Sequence, residues 1–381
     1  MLRAASLILP VDGYAGALAG RVWRADIGGP VVVAVRDNGV FDVSRDFPTM
    51  RDLAECTDPA GALRAAAGER LGTLDEILAG ASTLLSPLDL QAVKAAGVTF
   101  AASMLERVIE ERARGNADAA VAIRTEVERV VGKDFGALRP GTAQAQALKD
   151  MLIAQNAWSQ YLEVGIGPDA EIFTKAQPMS SIGAFSDAGL HPASTWNNPE
   201  PEVVLIVASD QRIVGATLGN DVNLRDVEGR SALLLGKAKD NNASCAIGPF
   251  IRFFDADFGL DDVRNAEVHL LVEGEDGFRM EGHSSMAKIS RDPADLVRQM
   301  MGTTHQYPDG AALFLGTMFA PVEDRGEAGK GFTHKTGDVV SISSAKLGRL
   351  VNRMKPCTEC APWTYGVSHL MRHLGSRGLL G

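Results

Sequence analysis

Aromatic residues are scarce in this chain: Phe, Tyr and Trp together make up 6% of its 381 residues. Cysteine is scarcer still, with only Cys56, Cys245, Cys357 and Cys360. Four thiols are too few to staple a chain of this size, so the fold is not expected to rest on disulfides, and a reduced, cytoplasmic setting fits. No run of about 18 apolar residues occurs, so no membrane span is read. Leu7-Ile8-Leu9 lacks a long apolar segment and a cationic flank, so no signal peptide is expected. Positive charge is in deficit: 38 Lys and Arg against 48 Asp and Glu leave a net charge of −10. That balance argues against nucleic acid as a partner. It leaves an anionic small molecule open, because a metal and a few local cations decide that. No G-x-G-x-x-G follows a strand and no P-loop is present, so nucleotide binding is not supported.

Apolar bulk is abundant, at 45% hydrophobic residues. That is ample for one big domain and a small one. Residues 1–85 are expected to form a small β-rich N-terminal domain. Val22–Arg24, Val31–Arg36 and Val40–Val43 read as strands, with Asp37-Asn38-Gly39 as a turn, and Thr49 as a helix cap. Residues 86–381 are the main domain, interrupted at about 116–160 by an Ala-rich, charged helical insertion. Cys357-Thr358-Glu359-Cys360 is a lone C-x-x-C. Zinc would need a second ligand pair, and Pro356 and Pro362 bracket a loop, so a structural role is expected. The seven histidines are scattered, and His305 alone stands out as one to follow.

The chemistry concentrates between Asn198 and Ala243. Glu200 and Glu202 lie two apart, ahead of the apolar run Val203–Val207. On an extended strand, residues i and i+2 share a face, so both carboxylates converge. Ser209-Asp210 reads as a turn, after which the chain returns to Asp221, a third carboxylate. Three oxygen anions with no Cys or His nearby favour Mg²⁺, Mn²⁺ or Ca²⁺ over zinc. Arg225, Asp226 and Lys239 follow. Residues 97–114 are helical, with Val98, Ala101, Ala102, Leu105, Val108 and Ile109 on one face. Thr99, Ser103, Glu106 and Glu110 line another.

The E-x-E, N-D-x-x-x-R-D and Lys series resembles the metal site of the fumarylacetoacetate hydrolase superfamily, in particular its 2-keto-3-deoxy-pentonate dehydratase branch. The resemblance implies an α+β, mainly β fold, the family's mixed β-roll, with a small N-terminal domain. It implies that Glu200, Glu202 and Asp221 hold Mg²⁺, with Mn²⁺ or Ca²⁺ as alternatives. Hydrolases of the superfamily carry a helix-borne His–Glu pair that activates water. Aligning Gly97 and Phe100 puts Ser103 at the histidine and Glu106 at the glutamate. Glu171 to Ser181 resembles the family's pocket-lining P-x-x-F-x-K-x-x-S-S segment, with Glu171 in place of the proline, and Lys175 and Ser180 facing substrate. Gly316-Thr317 matches a strand end whose threonine reaches the substrate carboxylate.

The expected activity is loss of water from 2-keto-3-deoxy-D-xylonate, giving 2-oxoglutarate semialdehyde. Lys239 and Glu106 are the expected catalytic groups, with Arg225, Thr317, Lys175, Ser103 and Ser180 binding substrate. Lys239, near a cation and Arg225, is expected to have a lowered pKa. The alternative is a C–C bond hydrolase of acylpyruvates or 2,4-diketo acids. It needs an activated water, and a serine at position 103 cannot serve as that base. A homodimer or homotetramer is expected, as is common in the superfamily.

Overall fold

A computed structural model describes the chain except for residues 1–2, 81–82, 115, 117–138, 155–157, 320, 322, 326–330 and 381. Five strands come first: β1 (Ala17–Arg24), β2 (Gly29–Arg36), β3 (Gly39–Asp42), β4 (Glu69–Gly72) and β5 (Thr83–Leu85). β6 (Ala92–Gly97) leads into the helix Ala101–Arg112, and β7 (Glu171–Ala176) and β8 (Asp187–Leu190) follow. The short ribbon partners β9 (Asn197–Asn198) and β12 (Asn223–Leu224) flank the hairpin of β10 (Pro201–Val207) and β11 (Ile213–Asp221). The remaining strands are β13 (Cys245–Phe253), β14 (Glu267–Glu273), β15 (Arg279–Ser285), β16 (Ala311–Phe314), β17 (Val339–Ser344) and β18 (Gly348–Pro356).

Among the described residues, eleven strands form one sheet, in the order β4-β3-β2-β1-β13-β11-β10-β16-β6-β7, with β5 on β1. Five form a second, in the order β15-β14-β17-β18-β8. This is the mainly β architecture with helices that the sequence suggested. Every residue of β10 is buried. Alternate side chains explain why. Val203, Leu205 and Val207 enter a core shared with Leu270, Val272 and Ile342 of the second sheet. Val204 and Ile206 enter a core on the opposite face with Met50, Leu53 and Phe314. A strand covered on both faces reads as an unbroken apolar run, as this one does.

The first 85 residues depart from expectation. β1 pairs antiparallel with β13, so the N-terminal strands continue the main sheet and do not close a sheet of their own. Ala19 and Val32 share a core with Ile206 and Phe253. Local propensity found the strands, but the pairing partner lies more than 200 residues away and leaves no local trace. The local signals hold well elsewhere. Thr49 caps the helix Met50–Ala54 in a reciprocal capping box with Asp52. Asp292 caps Pro293–Met300, with proline in the first turn. The insertion expected at about 116–160 lies mostly outside the described residues, which include its helices Ala143–Ala154 and Gln160–Ile166. No described helix is long and apolar enough to cross a membrane.

Candidate active site

The site begins at the entrance of β10. Glu202 lies opposite Gly219 in the β10–β11 register, and Pro201 opposite Asn220. The hairpin is tied at its open end: the Asp221 N–H donates to the Glu200 carbonyl at 3.0 Å, and the Glu200 N–H to Asn220 Oδ1 at 3.0 Å. Period-two alternation then turns Glu200, Glu202 and Asp221 to one face. A carboxylate oxygen from each lies within 4.8 Å of the others. All three are 1% exposed. Gly219 leaves room beneath them, since a Cβ there would come within 2.2 Å of the Phe314 ring.

Two lysines and an arginine face these anions. Lys175, on β7 and fully buried, places Nζ 2.7 Å from Asp221 Oδ1. Lys239 ends the short helix Leu235–Lys239; its Nζ is 3.1 Å from Asp221 Oδ2 and also bonds Glu200. Arg107, on the Ala101–Arg112 helix, bonds the other Glu200 oxygen. Burial alone would raise the Glu200 carboxyl, but Arg107 and Lys239 outweigh it and hold it down at about 2. Lys239 corrects the expectation of a lowered pKa. Burial pushes it down, yet Asp221, Glu200 and Glu228 together push harder and hold the ammonium well above its ordinary value. The expected effect of Arg225 is missing because Arg225 is engaged elsewhere.

Glu202 differs from its neighbours. It accepts from the Gly316 N–H at 2.7 Å and from Thr317 Oγ1 at 3.3 Å, both neutral donors. Burial, then Asp221 and Glu200, push its carboxyl well up. Gly316 reaches it only because its backbone is left-handed, at φ +102°, where a Cβ would also strike Thr99. A buried carboxylate without a cation, beside two others, is short of positive charge. The donor set is all oxygen and fits a hard divalent cation.

Residues 198–355 match the family model described as fumarylacetoacetate (FAA) hydrolase C-terminal. That stretch, fewer than half of the 381 residues, is thus similar to this family. It is 29% identical over 188 residues to a 2-dehydro-3-deoxy-D-arabinonate dehydratase of Saccharolobus solfataricus, covering 49% of this chain and 58% of that one. It is 28% identical over 193 residues to a probable 2-keto-3-deoxyxylonate dehydratase of Haloferax volcanii, covering 50% of this chain and 62% of that one. The matches thus span about three fifths of each curated relative. Among solved structures, the apo form of 2-keto-3-deoxy-D-arabinonate dehydratase superposes with a TM-score of 0.62 at 21% identity, covering 89% of this chain and 99% of that one. The same enzyme complexed with magnesium and 2,5-dioxopentanoate superposes with a TM-score of 0.62 at 20% identity and the same coverage. These two likenesses are of fold.

Around the triad lies an outer ring of paired charge. Arg225 Nε donates to Glu110 at 2.6 Å and Nη2 to Glu106 at 2.9 Å, while its guanidinium lies 4.3 Å from the Trp196 ring centre. Arg107 closes the ring, 2.6 Å from Glu110 and 3.3 Å from Glu228. Thr317 touches a triad member; Glu106 and Arg225 touch each other, one ion pair removed. Ser103 lies on the helix, and its side chain is outside the described residues. Ser180 donates to the Gln177 carbonyl at 2.8 Å and lines a separate cavity with Trp23 and Trp363. His305 packs against Tyr307 on the surface, ring centres 4.7 Å apart.

The sequence reading passed over Arg107, Glu228 and Glu171. Glu106 and Glu110 stand four apart, and like charges so placed repel unless a cation joins them, but that cation is Arg225, so Arg107 left no signal. Glu171 opens β7, two and four residues ahead of Phe173 and Lys175. Burial raises its carboxyl, with Lys239 and Arg107 opposing and Glu200 and Asp221 assisting. Gly97 makes room for it, since a Cβ there would collide with Glu171 Oε2. Cys357 and Cys360 sit in a turn after β18, unpaired. Burial pushes the Cys360 thiol up to about 11, assisted by Asp187 and Cys357, which marks it as unreactive.

Proposed function

We propose that this chain is a divalent-metal-dependent hydro-lyase that removes water from a 2-keto-3-deoxy-pentonate to give 2-oxoglutarate semialdehyde. The observation that carries the reading is the buried triad of Glu200, Glu202 and Asp221, with Glu202 short of a cation. The names of both curated relatives support the substrate class, and the magnesium and 2,5-dioxopentanoate of the superposed structure support cofactor and product.

Glu200, Glu202 and Asp221 would hold Mg²⁺, with Mn²⁺ or Ca²⁺ as substitutes. The cation's chemistry is to polarise the 2-oxo group and acidify the C3 proton. The chain supplies the rest. Thr317 binds the substrate carboxylate, beside Glu202. Glu171, its carboxyl raised by burial, is the proposed base at C3. Lys239 keeps its proton against Glu200 and Asp221 and stabilises charge developing on the substrate, while the proton that Glu171 takes from C3 is returned to the C4 hydroxyl, which leaves as water. Glu106 and Arg225 position the helix and its Arg107 over the triad. Lys175 fixes Asp221 and the Lys239 carbonyl. Ser103 remains a proposal for the pocket rim, and Ser180 one for the cavity it lines with Trp23 and Trp363. The protein works in the cytoplasm as a homodimer or homotetramer, which light scattering would check.

Product analysis tests the reading. With Mg²⁺ and either 2-keto-3-deoxy-pentonate, the semialdehyde should accumulate. Release of pyruvate from acetylpyruvate, with no semialdehyde from the sugar acids, would favour the C–C hydrolase.

A further inference from the structure

The geometry points to Asn198 and Asn223 as the groups that receive the hydroxylated end of the substrate and set which sugar acid the site accepts. The inference rests on the dehydratase reading above. The two asparagines are direct partners in the β9–β12 ribbon. Alternation puts Asn198 on the face of Glu200 and Glu202, and Asn223 on the face of Asp221. Burial agrees, because Val222, between Asp221 and Asn223, packs into the core between the two sheets. The carboxamides therefore continue the row of carboxylates one step outward.

Both asparagines are 0% exposed. Asn198 donates Nδ2 to the Pro199 carbonyl at 2.9 Å. Its Oδ1, and both Oδ1 and Nδ2 of Asn223, have no hydrogen-bond partner among the described residues. Buried amide atoms are rarely left unpaired, because losing water without a replacement is costly. Three of them side by side, next to two triad carboxylates, are donors and acceptors offered to something other than the chain's own groups.

The chemistry of that partner follows. A carboxamide presents a donor and an acceptor in one plane, and a hydroxyl is both. A polyhydroxy tail satisfies the set, whereas an acyl chain leaves it unpaired, and sites of this kind discriminate strongly. The direction also fits. Gly316 and Thr317 sit against Glu202, at one end of the row. A five-carbon acid with its carboxylate toward Thr317 runs its C4 and C5 hydroxyls toward the asparagines.

The test compares a substrate that has the tail with a probe that lacks it. Turnover of both C4 epimers of 2-keto-3-deoxy-pentonate, and inhibition by oxalate, are measured with Mg²⁺ for wild type, Asn223→Ala, Asn223→Ser and Asn198→Ala. The expected result is a rise in KM of about tenfold for the preferred epimer, a flattened C4 preference and an oxalate Ki within about twofold of wild type. Asn223→Ser should show a smaller shift in the same direction, and serves if Asn223→Ala does not fold. Active wild type with variants that shift neither value, or shift sugar acid and oxalate together, overturns the assignment alone. Wild type inert toward both epimers overturns the dehydratase reading and this inference with it.

Discussion

The β10–β11 hairpin and the Ala101–Arg112 helix both bring charge to the same centre, but by different physics. The hairpin acts through short-range geometry. Strand alternation and a turn suffice to gather Glu200, Glu202 and Asp221 within 4.8 Å. The helix acts through docking. Glu106, Arg107 and Glu110 matter only because Arg225 and Glu200, each more than 90 residues on, meet them in the fold. The hairpin carries the excess of negative charge, and the helix brings Arg107 to it, paired with Glu110 as well as Glu200. The hairpin is therefore expected to govern metal binding and turnover, and the helix to govern how stably that centre is held.

The largest effect should come from the hairpin. Glu202→Gln keeps the shape and removes the charge, and is expected to abolish divalent-cation binding and lower kcat by about 10³-fold or more. Calorimetry and turnover would show it, and retained binding would place the metal elsewhere. Next is Lys239→Ala, expected to lower kcat by about 10²–10⁴-fold. A rise in KM alone would demote Lys239 to an anchor.

The helix should respond differently. Arg107→Leu takes one of two cations from each of the buried Glu110 and Glu200, which keep Arg225 and Lys239, and is expected to cost about 3 kcal/mol in chemical denaturation. Unchanged stability would dissolve the distinction between the two regions. Glu106→Gln should lower turnover by about 10–100-fold, while cation affinity stays at the wild-type value. Parallel loss of both would move Glu106 into the metal site.

The smallest effect concerns Glu228. Burial raises its carboxyl to about 7, against the opposing pull of Arg107 and Lys239. A group raised in the folded state favours folding below its unfolded value, near 4.3, and that contribution is lost as pH rises through about 7. Glu228→Gln is therefore expected to raise the melting temperature by a few degrees at pH 8 and to change little at pH 4. A gain of the same size at both would remove ionisation as its cause.

What the sequence disclosed follows the same division. Glu200, Glu202 and Asp221 were legible because period two and one turn fix their faces. Thr49 announced its helix through capping, which is also local. Arg107 was hidden, because a charged residue on a polar helix face reads as solvated until its partner is known. The sharing of one sheet by β1 and β13 was hidden for a similar reason, since antiparallel pairing across more than 200 residues leaves no spacing to find. The charge state of Lys239 was misjudged because the reading placed Arg225 beside it, whereas Arg225 is spent on Glu106 and Glu110.

The central claim is that one divalent cation sits among three carboxylates of the β10–β11 hairpin. Crystals soaked in Mn²⁺ and measured near the manganese absorption edge test it most directly. The account predicts one strong anomalous peak per chain, with oxygens of Glu200, Glu202 and Asp221 at roughly 2.0–2.6 Å. A triad with no peak, in crystals that bind manganese at another site or not at all, would contradict it.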